Sequence, residues 1–194
     1  LPAEDKESDS PLSGTLRIVA VAAAALIVAV VAFLLLSGGD DEDSGTAPPV
    51  ASAAVPAAIV PADDLRDLST ELGHPVYWLG QRPGAEFELT REGNGDVYIR
   101  YLSGGAEAGD PRPRFVTVGT YPLEDAVAAV KRAAAGAETK PLPIAHGGYA
   151  FVNPDSPDSV YFAYPGADFQ VEVFSPKPGE ALELVTSGRV LPVG

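Results

Sequence analysis

The stretch Glu86-Phe87-Glu88-Leu89-Thr90-Arg91-Glu92-Gly93-Asn94-Gly95-Asp96-Val97-Tyr98-Ile99-Arg100-Tyr101-Leu102 decides the fold. Phe87 and Leu89 alternate with Glu86, Glu88 and Thr90. Val97, Ile99 and Tyr101 alternate with Tyr98, Arg100 and Leu102. A period of two is that of a strand, whose successive side chains point to opposite faces. The polar, glycine-rich run Glu92-Gly93-Asn94-Gly95-Asp96 between them is a hairpin turn signal. The region therefore predicts an antiparallel hairpin.

Similar signals extend on both sides. Val76-Tyr77-Trp78-Leu79, Phe115–Thr120 and Tyr149–Asn153 read as strands. Val160–Tyr164 and Phe169–Phe174 predict a second hairpin across Pro165-Gly166-Ala167. A short edge strand is expected over Arg189–Val193. Helices are expected at three places. The first starts at Asp63, with Leu65, Leu68 and Leu72 on one face and Gly73-His74-Pro75 as its stop. The second covers Pro122–Ala135, and the third Glu180–Ser187. Val76-Tyr77-Trp78 with Pro83-Gly84-Ala85-Glu86-Phe87 resembles Val160-Tyr161-Phe162 with Pro165-Gly166-Ala167-Asp168-Phe169. Either a hairpin-plus-helix unit is duplicated, or two Pro-Gly hairpins look alike for shared physical reasons. The expected class is α+β: a mostly antiparallel sheet with helices packed on one face.

This domain, residues 63–194, occupies only part of the 194-residue chain. Ile18–Leu36 is a run of 19 apolar residues with no charge, Gly or Pro. As a helix it would be about 28 Å long, close to the ~30 Å hydrocarbon core of a bilayer. It predicts a transmembrane helix over residues 16–36, with residues 1–15 as a cytoplasmic tail. A cleaved signal peptide is the competing reading, although its apolar run is usually only about 7–15 residues. Arg17 and Lys6 precede the span and Asp40-Asp41-Glu42-Asp43 follows it, so the C-terminal domain is expected outside the cell membrane. Residues 37–62 read as a disordered acidic and Pro/Ala linker. Ala20/Ala24 and Ala25/Ala29 are small-residue pairs that would suit a weak homodimer of the span.

The net charge is -14, with no Cys. Residues 37–64 hold six acids and no base, and four of the six, Asp40 to Asp43, belong to the tether. An acidic chain lacks the basic face that a nucleic-acid binder needs. The absence of Cys removes disulfides, thiol nucleophiles and Cys-ligated metals. None of the phosphate-binding, zinc-protease or serine-hydrolase motifs is found, and no cofactor is implied.

The remaining candidates are few. His74 and His146 flank glycines and read as turn residues rather than metal ligands. Asn153-Pro154-Asp155-Ser156-Pro157-Asp158 reads as an Asx/Pro loop, since it lacks the EF-hand pattern. Glu86, Glu88, Asp168 and Glu172 offer carboxylates at strand spacing, expected on the wet face of a half-covered sheet. The alternative is acid/base work in a cleft. Trp78, Arg82, Tyr98 and Arg100 are the candidate ligand or partner face, because Arg and aromatic residues are enriched in interfaces.

The pieces from Gly73 to Trp78, Phe87–Thr90, Tyr98–Leu102, Thr117–Pro122, Val160–Gly166 and Leu184–Gly188 together resemble a group of uncharacterised single-pass membrane proteins of high-GC Gram-positive bacteria. The resemblance covers residues 65–194. It implies a C-terminal extracytoplasmic α+β domain and no activity. Two functions follow: a non-catalytic envelope binding or interaction module of unknown protein or envelope partner, or an extracytoplasmic carboxylate-dependent hydrolase.

Overall fold

The computed structural model describes residues 55–194. The expected cytoplasmic tail 1–15, the span 16–36 and linker residues 37–54 lie outside the described residues. Among the described residues no helix is long and apolar enough to cross a membrane.

The domain is α+β. Its chain order is β1 (Val55–Val60), α1 (Ala62–Leu72), β2 (Tyr77–Trp78), β3 (Glu86–Arg91), β4 (Val97–Leu102), β5 (Thr117–Pro122) and α2 (Ala126–Gly136). There follow β6 (Leu142–Pro143), a 3-10 turn (Ala145–Gly147), β7 (Tyr149–Val152), β8 (Ser159–Ala163), β9 (Phe169–Phe174), α3 (Glu180–Thr186) and β10 (Leu191–Pro192). Eight strands form one antiparallel sheet in the order β1-β3-β4-β5-β9-β8-β7-β6. The order is symmetric about the β5–β9 pairing, the one contact that joins a first four-stranded half to a second.

The quoted hairpin forms as the alternation predicts. Phe87 pairs with Tyr101, Leu89 with Ile99 and Arg91 with Val97. Its turn closes through the Glu92 N–H donating to the Asp96 carbonyl at 2.9 Å. Gly95 has φ 95°, a conformation that favours glycine, and it packs against Pro122.

The side chains of Phe87, Leu89, Val97, Ile99, Val118, Val160, Phe162, Val171 and Val173 build the main core on one face, together with Leu65 and Leu68 of α1 and Ala181, Leu184 and Val185 of α3. The small β2–β10 sheet crosses this face. The Tyr77 N–H donates to Thr120 Oγ1 at 3.1 Å, and the Leu79 N–H donates to Tyr101 Oη at 2.6 Å. Burial pushes the Tyr101 hydroxyl up to about 12. The opposite face carries α2, whose Ala126, Val130, Ala133 and Ala134 pack on Phe151, Tyr161 and Ala163.

Three expectations are corrected. The helices do not share one face: α1 and α3 cover one side, and α2 covers the other. Alternation predicted one apolar face, but β8 is buried along its whole length, with Tyr161 and Ala163 facing α2. The disordered linker expected over 37–62 does not extend to its stated end, because residues 55–60 form β1. An edge position tolerates Pro56, whose missing N–H would interrupt a central strand. The two Pro-Gly-Ala stretches are not equivalent hairpins. β8 and β9 pair with each other, whereas β2 pairs with β10 and not with β3.

Candidate functional site

The face that carries α2 holds two polar centres. The first lies where β5 meets β9. Across the sheet, one row runs Thr90, Tyr98, Gly119, Glu172, Tyr161, Phe151. Glu172 is 2% exposed. Tyr121 Oη donates to Glu172 Oε2 at 2.6 Å, and Ser159 Oγ donates to Oε1 at 2.6 Å. Tyr161, opposite Glu172 on β8, places its hydroxyl near enough to favour the ionised carboxyl. Desolvation raises the Glu172 pKa above the ordinary carboxylate value, against the pull of these three hydroxyls. Burial also raises the hydroxyls of Tyr98, Tyr121 and Tyr161, and the neighbouring carboxyls push in the same direction.

The centre continues towards the turn. Tyr98 packs edge-on against Tyr121, ring centroids 5.7 Å apart, and its hydroxyl lies 3.5 Å from Asp96 Oδ2. Asn94 Nδ2 donates to the same oxygen at 2.9 Å. Burial raises the pKa of Asp96, and burial followed by the charge of Asp96 raises that of Glu92. Gln170, beside Glu172 on β9, is buried, and its Nε2 has no hydrogen-bond partner among the described residues.

The second centre is an ion pair beneath the 103–116 strap that joins β4 to β5. Glu88 is 1% exposed and accepts from Arg100 Nη1 at 2.6 Å and from the Gly109 N–H at 2.5 Å. Arg100 Nη2 donates to the Asp110 carbonyl at 2.7 Å. Asp110 pairs in turn with Arg112 and Arg114, and Arg100 and Arg114 both lie over the ring of Phe115. The hydrogen bonds from Arg112 hold the Asp110 carboxyl well below its usual range.

The candidate partner face from sequence does not assemble. Trp78 sits in the main core against Phe87, ring centroids 5.7 Å apart. Arg82 reaches Glu180 at 3.2 Å and lies over the Tyr101 ring. Tyr98 and Arg100 point to the opposite face, into the two centres above. The wet-face expectation for the carboxylates holds for Glu86 and Asp168 and fails for Glu88 and Glu172. Both sheet faces are covered, so the polar half of each alternation is buried as well.

Sequence reasoning missed Tyr121, Ser159 and Gly119. The one available signal was Gly119 inside a β-rich run, which marks a close approach by another group. His74 stacks on Phe169 at 4.7 Å and His146 meets Tyr164 edge-on at 6.4 Å, so both lie at the β8–β9 turn end of the sheet. The Asp155 N–H donates to Asn153 Oδ1 at 3.0 Å, the Asx turn expected of that loop. Among the described residues no cluster of three or more His, Asp or Glu gathers as a metal site.

The arrangement can hold and transfer a proton inside the sheet. Glu172 has no open path to a dissolved substrate. No family of known proteins, no curated protein and no solved structure matches the chain.

Proposed function

We propose that the chain is a membrane-anchored, non-catalytic binding or interaction module, tethered by the apolar run at 18–36, with its α+β domain outside the cell membrane. The observation that carries the non-catalytic reading is the placement of its two buried glutamates. Glu88 and Glu172 are sealed from solvent and stand on strands three positions apart in the sheet. At about 4.8 Å per strand that separation is about 14 Å. A glycosidase-type carboxyl pair works at roughly 5–9.5 Å across an open cleft. Glu88 is also committed to Arg100, which leaves it no role as a free acid or base.

The half-buried rings at the β8–β9 turn end support the binding part. His74, Tyr164 and Phe169 are partly exposed, and His146 is exposed. Such amphipathic rings are the side chains that interfaces favour. This rim replaces the Trp78, Arg82, Tyr98 and Arg100 face as the expected contact surface.

The test is a titration of the isotope-labelled full chain in lipid nanodiscs with soluble cell-wall glycan fragments, read by NMR and by product analysis. Saturable shifts at His74, Tyr164 and Phe169 without product are expected. Product release that disappears in Glu172→Gln would establish the hydrolase instead.

A further inference from the structure

We propose that Glu172 and its hydroxyl partners form a proton-operated latch on the β5–β9 seam. This goes beyond the binding reading and does not depend on it. The seam is the single strand pairing that joins β1-β3-β4-β5 to β9-β8-β7-β6. Glu172 projects from β9 and is held on both sides, by Tyr121 of β5 and by Ser159 of β8. One carboxyl therefore ties three adjacent strands together across the join.

The surroundings offer this carboxyl a proton and no cation. From β5 it meets Tyr121, from β8 Ser159 and Tyr161, and through Tyr121 it reaches Tyr98 of β4. Beyond Tyr98 stand Asp96 and Glu92. The helix packed on this face, α2, contributes Ala126, Val130 and the partly buried Val127. Its Lys131 is placed 3.8 Å from the centre of the Tyr149 ring. Arg100, two residues from Tyr98 on β4, is bound to Glu88. No ion pair among the described residues involves Glu172.

A neutral Glu172 fits this setting, because it needs only hydrogen bonds and its hydroxyl neighbours can rotate to donate or accept. An ionised Glu172 would be a charge buried without a counter-ion, with further acids beyond its tyrosines. Its relief is to draw water in or to swing out, and either parts Tyr121 from Ser159. The chain of Tyr121, the edge-on Tyr98 and the carboxyl of Asp96 leads from Glu172 to the exposed 92–96 turn, and the proton leaves on that side. Glu172 gives up a proton to solvent through that chain and regains it on acidification, with no net chemistry besides. The latch is closed in acid and open above the pKa of the folded-state carboxyl.

The test is hydrogen exchange of the full chain in nanodiscs across a pH series, corrected for the intrinsic pH dependence of exchange. Amides of residues 117–121 and 169–174 should lose protection by on the order of tenfold as pH rises, before the rest of the sheet does. In Glu172→Gln, which has no proton to lose, that step should vanish. Tyr121→Phe and Ser159→Ala each remove a donor that favours the ionised form, so each should move the step to higher pH. Identical profiles in wild type and Glu172→Gln would overturn the latch. If Glu172→Gln does not fold, a step that stays at the same pH in the other two variants would overturn it.

Discussion

The ring of Tyr121 lies back over Gly119, two residues earlier on the same strand, so that a β-carbon on Gly119 would stand 2.7 Å from Tyr121 Cζ. Gly119 also pairs with Glu172 across the seam. The missing side chain thus makes the space through which Tyr121 reaches the carboxyl. Gly119→Ala would force the fully buried ring out of its site, and overpacking of this kind costs roughly 1–3 kcal/mol. Tyr121 would also lose its bond to Glu172. Urea unfolding should show the free energy of unfolding falling by that amount. An unchanged midpoint would mean that the ring has room to move.

Arg100 of β4 and Arg112 of the strap are both in ion pairs, yet they predict different outcomes. Arg100→Ala leaves Glu88 as a buried carboxyl without its cation, a loss of about 3–5 kcal/mol. Arg112 has a side chain that is 59% exposed, so its contact with Asp110 is screened by water. Arg112→Ala should change the unfolding midpoint little. Limited proteolysis offers a second reading: the Gly104-Gly105 region of the strap should be cut sooner in Arg100→Ala than in Arg112→Ala.

The contrast bears on what the sequence could reveal. The 86–102 hairpin was legible because its turn is local and its alternation is strict. The helix at 62–72 was legible from its leucine spacing and its Gly73 stop, although Pro61 and not Asp63 precedes it, and that at 180–186 from Gly188 beyond its end. The third was displaced towards the C-terminus: Pro122 closes β5, and the helix starts at Ala126. The fate of the polar half of each alternation was not legible. Whether Glu88 faces water or Arg100, and whether Glu172 faces water or Tyr121, depends on what covers that face. The cover comes from α2 and from the strap, both remote from either glutamate in sequence. Trp78 and Tyr98 were grouped on residue type alone, and register places them on opposite sides of the sheet.

Stability should fall at the acid end for a reason separate from Glu172. The hydroxyl of Ser175 and then Arg82 hold the Glu180 carboxyl below its ordinary value. A carboxyl with a lowered folded-state pKa stabilises the fold above its unfolded-state pKa. That contribution disappears as pH falls through the folded value. Glu172 and Asp96 are raised and act with the opposite sign, losing their contribution as pH rises. Thermal unfolding against pH should therefore give a dome. Glu180→Gln should flatten its acid side and leave the alkaline side in place. A dome with both sides unchanged would mean that Glu180 makes no bond in solution worth more than its hydration.

The boundary of the domain gives the final prediction. Val55–Val60 pairs along β3, with Val60 opposite Phe87 and Ala58 opposite Leu89. Val60 is half-buried against the main core, whereas Ile59 is 45% exposed. A chain starting at Val55 should unfold at the same urea concentration as a chain starting ten residues earlier. A chain starting at Ala62 should lose about 2 kcal/mol, from the buried part of Val60 and the ladder bonds that β3 then offers to water. Its exposed β3 edge should also raise its tendency to aggregate, because an unpaired strand edge is a template for another chain. Ile59→Ser within the longer chain separates the two sources of the loss, since it keeps the backbone pairing and removes only a side chain already in contact with water. It should change the free energy of unfolding by no more than about 0.5 kcal/mol. Equal stability of the chains beginning at Val55 and Ala62 would return residues 55–60 to the tether and make α1 the true start of the domain.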